Sequence, residues 1–181
     1  MATPTTLPAS FVSGAVLTAA QMNNLRGAFR VLQVVQDIKT DTFTTTSTTF
    51  VDITGLSVTI TPSSTTSQVL IIANLAYGLP FSAGCFYRIA GGNATTYVGD
   101  AGGSRVRSSF GGFFDTNGSN HQVGASIVYL DSPATTSATT YRVQAAVPTG
   151  NTAFVNRGGN DSDDARFARS ASSIIVMEIS A

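Results

Sequence analysis

A chain of 181 residues that is 43% hydrophobic can bury one good core, so one main domain is expected, although its 11% charged residues fall well below the usual quarter. Ten basic and ten acidic residues cancel, which argues against broad electrostatic attraction to nucleic acid or to an anionic membrane. One cysteine, Cys85, excludes an internal disulfide and with it a disulfide-stapled secreted scaffold.

Thr, Ser, Gly and Ala fill the place of the missing charges, and Thr and Ser suit exposed strand faces. The cations are nine Arg and one Lys, Lys39. Arg enters interfaces more readily than Lys because its planar fork is more weakly hydrated. That bias fits a surface largely covered by other subunits, or else a bias of nucleotide composition. The N-terminus lacks the basic and long apolar regions of a signal peptide. The longest apolar run, Val69 to Ala76 with Asn74 inside it, is too short to span a bilayer. These features predict a soluble protein made in a cytoplasm and not exported by the usual route.

In chain order, Met1 to Ser10 reads as an extended arm with Pro4 and Pro8. Thr18 followed by Gln21 fits a capping box, with Leu17 and Met22 placed for a hydrophobic staple. Met22, Leu25 and Phe29 then form an apolar stripe at helical spacing, weakened by Gly27. Residues 1–30 therefore read as an arm plus a short helix. That helix either caps the domain that follows or serves attachment and oligomerisation. From Val31 the period becomes two, the mark of a half-buried strand. Further strands are expected at Ser57–Thr61, Cys85–Ala90, Thr95–Val98, Arg105–Phe110, Thr152–Val155 and Ser173–Ile179, with an exposed strand and turn in the Thr-rich stretch 41–49. Gln68 to Tyr77 is apolar on both faces, which calls for cover on both sides, by the N-terminal helix or by a neighbouring subunit. The clearest signal is Ala125–Asp131 and Thr139–Val147, two alternating arms joined across Pro133, which predict a hairpin with Tyr129 and Tyr141 facing inward. Some ten short strands at regular spacing indicate an all-β antiparallel sandwich or jelly roll over 31–181.

Chemistry is sparse. His121, the sole histidine, lies in a Gly/Asn/Ser loop, and Asp131 or Asp100 are its conceivable partners without any recognisable nucleophile motif. Gly91-Gly92 and Gly102-Gly103 lack the strand, helix and lysine of a phosphate cradle. Asn160, Asp161, Asp163 and Asp164 offer oxygen ligands, but the spacing is not that of an EF-hand, and a solvated turn is the simpler reading. Glu178 is the one Glu and supplies no carboxylate pair for glycoside cleavage. Phe110, Phe113 and Phe114 sit in an expected Gly-rich loop, either contacting a ligand or subunit or plugging the core beneath it. No catalytic, cofactor-binding or metal residue is assigned, and the chain is read as a non-enzyme without cofactors.

Several stretches carry a resemblance. Phe11-Val-Ser-Gly-Ala-Val-Leu-Thr-Ala-Ala-Gln-Met-Asn23 resembles an N-terminal signature of tail-fibre and other virion proteins of tailed bacteriophages. Phe50-Val-Asp-Ile-Thr-Gly-Leu-Ser-Val-Thr-Ile-Thr-Pro62, Tyr129-Leu-Asp-Ser-Pro133 and Ser173-Ile-Ile-Val-Met-Glu-Ile179 are similar to a β domain found in such proteins. The spread of strands also resembles C1q/TNF-like jelly rolls, which pack as homotrimers. The resemblance implies a virion location and a trimeric fibre or spike subunit. Its N-terminal segment would dock on other virion proteins, and its distal β domain would bind host cell-surface polysaccharide. The alternative is a capsid or tail decoration protein that stabilises the shell.

Overall fold

The computed structural model describes residues 31–78, 83–114 and 121–180, with the isolated positions 14, 16, 18 and 19 before them. The expected N-terminal helix and the loop at 116–120 therefore lie outside the described residues, apart from those isolated positions. The domain is all-β. Its strands are β1 (Val31–Lys39), β2 (Phe43–Thr45), β3 (Val51–Ile60), β4 (Gln68–Gly78), β5 (Ala83–Ala90), β6 (Phe110–Phe114), β7 (Gln122–Asp131), β8 (Thr139–Ala146), β9 (Ala153–Val155) and β10 (Ser172–Ile179). One 3₁₀ turn, Ala94–Thr96, interrupts them.

All pairings are antiparallel. In the first sheet β7 lines one edge of β4 over its whole length, from Val69 opposite Asp131 to Gly78 opposite Gln122. The other edge of β4 must then be shared end to end. There β10 pairs with Gln68–Asn74, and β9 takes over at Tyr77 and Gly78. Beyond them β1 pairs with β10 and β2 with β9. The sheet is thus four columns wide: β7, β4, β10 with β9, and β1 with β2. The second sheet runs β3-β8-β5-β6.

Alternation along each strand sends one set of side chains into a common core. Val69, Ile71, Ala73, Leu75 and Tyr77 of β4 meet Tyr87, Ile89, Tyr141 and Val143 of the second sheet in a single buried cluster. Burying side chains of this size is worth about 1.5–3 kcal/mol each. Tyr141, Val143, Ala145 and Val147 are buried as their period implies, and Tyr129 packs at the margin of the core.

Several expectations are corrected. The hairpin does not form. β7 pairs with β4 in the first sheet, while β8 pairs with β3 and β5 in the second, so the connector through Pro133 crosses between sheets. Alternation tells a strand which face is buried but not which strand lies beside it. Ile53–Leu56 form a bulge inside β3, which begins at Val51 and not at Ser57; the register shifts between Asp52 and Ser57, and Gly55 takes φ +76°. Thr95–Val98 is not a strand but falls on the 3₁₀ turn and its exit, Arg105–Ser108 is irregular, and the Phe110–Phe114 loop is strand β6 on β5. Among the described residues the outer face of β4 is not fully covered: Leu70, Ile72 and Ala76 are half-buried while the inner face is sealed.

Candidate functional site

Among the described residues the sequence candidates do not converge. β7 separates His121, at its start, from Asp131, its last residue, by roughly 30 Å of extended chain. His121 is exposed and Asp131 is fully buried. The acidic loop turns its carboxylates toward guanidinium groups. Asp161 meets Arg169 at 2.6 Å and Arg157 at 3.9 Å, and Asp164 takes both Nε and Nη2 of Arg166 at 3.0 and 2.7 Å. The Arg166 hydrogen bonds hold Asp164 below the usual carboxylate range. Asn160 Oδ1 accepts the backbone N–H and the hydroxyl of Ser162. A cleft of about 300 Å³ lies between these groups. No three metal-ligating side chains come together among the described residues. Phe110 is half-buried and packs against the core, stacked on Tyr87 at 4.9 Å and tilted against Tyr77 at 5.7 Å.

Three buried polar clusters had no sequence signal. Asp131 Oδ2 accepts the hydroxyl of Tyr141 at 2.6 Å and the N–H of Asn93 at 3.2 Å. Gly92, at φ +50°, sits against this carboxylate so closely that a Cβ would collide with it. Glu178, also fully buried, accepts Gln33 Nε2 at 2.6 Å and both the N–H and the hydroxyl of Ser63 at 2.7 and 2.6 Å. Burial opposes its charge, but hydrogen bonds from Ser63, Gln33 and Ser67 outweigh that and bring its carboxyl down to about 2. Asn156, at φ +62°, donates to the carbonyls of Lys39 and Asp41 at 2.8 and 2.9 Å and accepts the hydroxyl of Ser172 at 2.6 Å. Each cluster ties strand ends together, which is a structural task.

The functional contrast lies between the two outer faces. On the second sheet Asp52 accepts Gln144 Nε2 at 2.7 Å and Arg142 Nη1 at 3.0 Å, Arg88 Nε donates to Gln144 at 2.8 Å, and the Arg88 guanidinium covers the Phe50 ring at 4.1 Å. Thr59 and Thr140 hydroxyls meet at 2.7 Å. That face is polar, and its side chains bond one another, with Arg142 Nε left without a partner. The outer face of the first sheet is apolar. The register aligns Leu130, Leu70, Met177 and Val34 in one row across all four columns, and Val128, Ile72, Ile175 and Gln36 in the next. Val34 is 55% exposed, Val128 52% and Leu130 45%. Contiguous apolar surface of this kind on a monomer marks a contact site. Val128 and Leu130 are readable as apolar in the sequence, but only the register shows that they line up with Leu70 and Val34.

No model of a known protein family matches this chain, and no curated protein matches it. Among the described residues no helix is long and apolar enough to cross a membrane.

Proposed function

We propose that this chain is a structural virion protein of a tailed phage, a fibre or spike subunit that assembles as a homotrimer and presents a jelly-roll β domain toward the host surface. The observation that carries the reading is strand order. The columns run β1-β10-β4-β7 in one sheet and β3-β8-β5-β6 in the other, and six of the nine connections between successive strands pass from sheet to sheet. Eight columns divided in this way support a double Greek-key jelly roll, the architecture used by capsid proteins and lectins. A fold does not by itself decide a function. The virion assignment draws also on the resemblance of Phe11–Asn23 and of the strand sequences to phage fibre proteins, and on a surface poor in charge. In this reading residues 1–30 connect the domain to the virion, and the loops at its far end contact host polysaccharide.

The test is direct. Purified protein should coat host cells and compete with infection, and imaging of the virion should place the chain at a fibre or spike. Hundreds of copies per particle on the capsid or tail, without cell binding, would replace this reading with that of a shell-stabilising decoration protein.

A further inference from the structure

We infer that the apolar outer face of the first sheet seats a second copy of this chain, which locates the contact of the homo-oligomer proposed above and rests on that reading. Beside the two apolar rows lie Gln68, Ile179 and Val31 toward one end of the sheet, and Ser126, Asn74, Ser173 and Ile38 toward the other. No Asp, Glu, Lys or Arg stands in these four rows. Four columns at about 4.8 Å and four rows at about 6.7 Å project an area of roughly 19 by 27 Å, or about 500 Å². The relief of the side chains adds to that projection. The face is therefore on the scale of a standard interface, which takes about 800 Å² of accessible surface from each partner.

The chemistry of the face selects its occupant. Contacts between different proteins are about as polar as the rest of the surface, whereas those between identical chains are more apolar. A partner that brought charges would bury them here against no counter-charge. A lipid surface would call for basic residues and for Trp or Tyr around the aliphatic patch, and these rows supply neither. A second copy brings the same uncharged rows. Gln36 and Gln68 carry amides that both donate and accept, so they suit a contact with their own counterparts. The outermost columns hold most of the open surface, with Val34 and Ile38 each 55% exposed on β1 and Val128 52% exposed on β7. Burial in such a contact removes from water what the described residues leave open. The outer face of the second sheet carries Asp52, Arg88 and Arg142 and offers no comparable surface.

The experiment uses the full chain with Ile72→Cys, at the centre of the face, a short bis-maleimide and denaturing electrophoresis. The native thiol, Cys85, is buried and does not compete, so the one reactive thiol of each chain links only to another chain. The expected result is a two-chain band from Ile72→Cys and none from Thr59→Cys, which lies exposed on the outer face of the second sheet. An equal or stronger band from Thr59→Cys would overturn the inference. So would an Ile72→Cys protein that stays a single chain: a thiol open to alkylation would mean a bare face, and a shielded one a cover other than a second copy. Light scattering separates these failures from that of the homotrimer. Three chains per particle without the link at position 72 would overturn this face and leave the homotrimer standing; two chains linked there would support the face and remove the homotrimer. As a check that needs no cross-link, Val128→Asp, a half-exposed position outside the core, should lower the mass to 18.7 kDa, that of one chain, while the thermal transition of the β domain persists. A folded variant of unchanged mass would refute the contact.

Discussion

Where β9 hands over to β10, and β1 to β2, the sheet leaves backbone groups that no neighbouring strand reaches, and Asn156 satisfies them. Its amide donates to two carbonyls, its own N–H donates to Ala76 O at 2.8 Å, and Ser172 Oγ bridges its side chain to the N–H of Ala76 at 3.0 Å. Asn is among the few residues that accept left-handed backbone while offering both donor and acceptor. Replacing it with Gly keeps the conformation and removes the bonds. The expected cost is on the order of 3 kcal/mol, since each buried unsatisfied group costs about 1–3. Asn156→Ala should lose about 1 kcal/mol more through backbone strain. Denaturant midpoints of the two variants check both figures. Cys85 is the contrasting case. Burial pushes its thiol up to about 12, so on the order of 1,000-fold less thiolate is present than for an ordinary cysteine. Alkylation of the native protein should proceed at least ~100-fold more slowly than in denaturant; equal rates would show that the thiol is accessible. The burial of Cys85 was legible from its strand neighbours, whereas Asn156 reads in sequence as one more polar loop residue.

At the level of elements, one carboxylate ties β10 to the β3–β4 connection and adds a side-chain bond to the ladder that pairs it with β1. Glu178 bonds residues 145 and 115 positions away in sequence, Gln33 and Ser63. Because its folded pKa is depressed to about 2 from an ordinary 4.5, its contribution is fully present above about pH 4.5 and is lost as the pH falls toward 2. Asp52, held down by hydrogen bonds from Gln144 and Arg142, contributes with the same sign. Glu178→Gln should lower stability at pH 7 by about 2 kcal/mol, the scale of a hydrogen bond to a charged group. It should also flatten, without abolishing, the decline in unfolding free energy between pH 4.5 and pH 2. Parallel declines in the two proteins would rule out this role. The strand itself was legible, its alternation placing Ile174 and Val176 inward; that Glu178 shares their face follows from the period, but its partners do not. The supposed hairpin failed at this scale, because β7 and β8 each carry one apolar face and each found a better neighbour than the other.

For the molecule as a whole, the two outer faces differ in kind. The second sheet closes its polar groups on one another, and the first presents aligned rows of aliphatic side chains. The homotrimer proposed here predicts a mass of about 56 kDa, three chains of 18.7 kDa, by light scattering at micromolar concentration. A stable mass near that of one chain would remove the trimer.

The sequence by itself determined that this protein is a weakly charged, antiparallel all-β chain, and which face of most strands is buried, because side-chain alternation and β propensity are local properties. Only the tertiary structure decided strand neighbours. Pairing across more than a hundred residues depends on register and connection, and alternating patterns are interchangeable in that respect. It likewise decided that Glu178, Asp131 and Asn156 are buried anchors, since a polar residue's partners lie far away in the chain. The apolar face of the first sheet belongs to both: its residues are visible one by one, and pairing turns them into a surface.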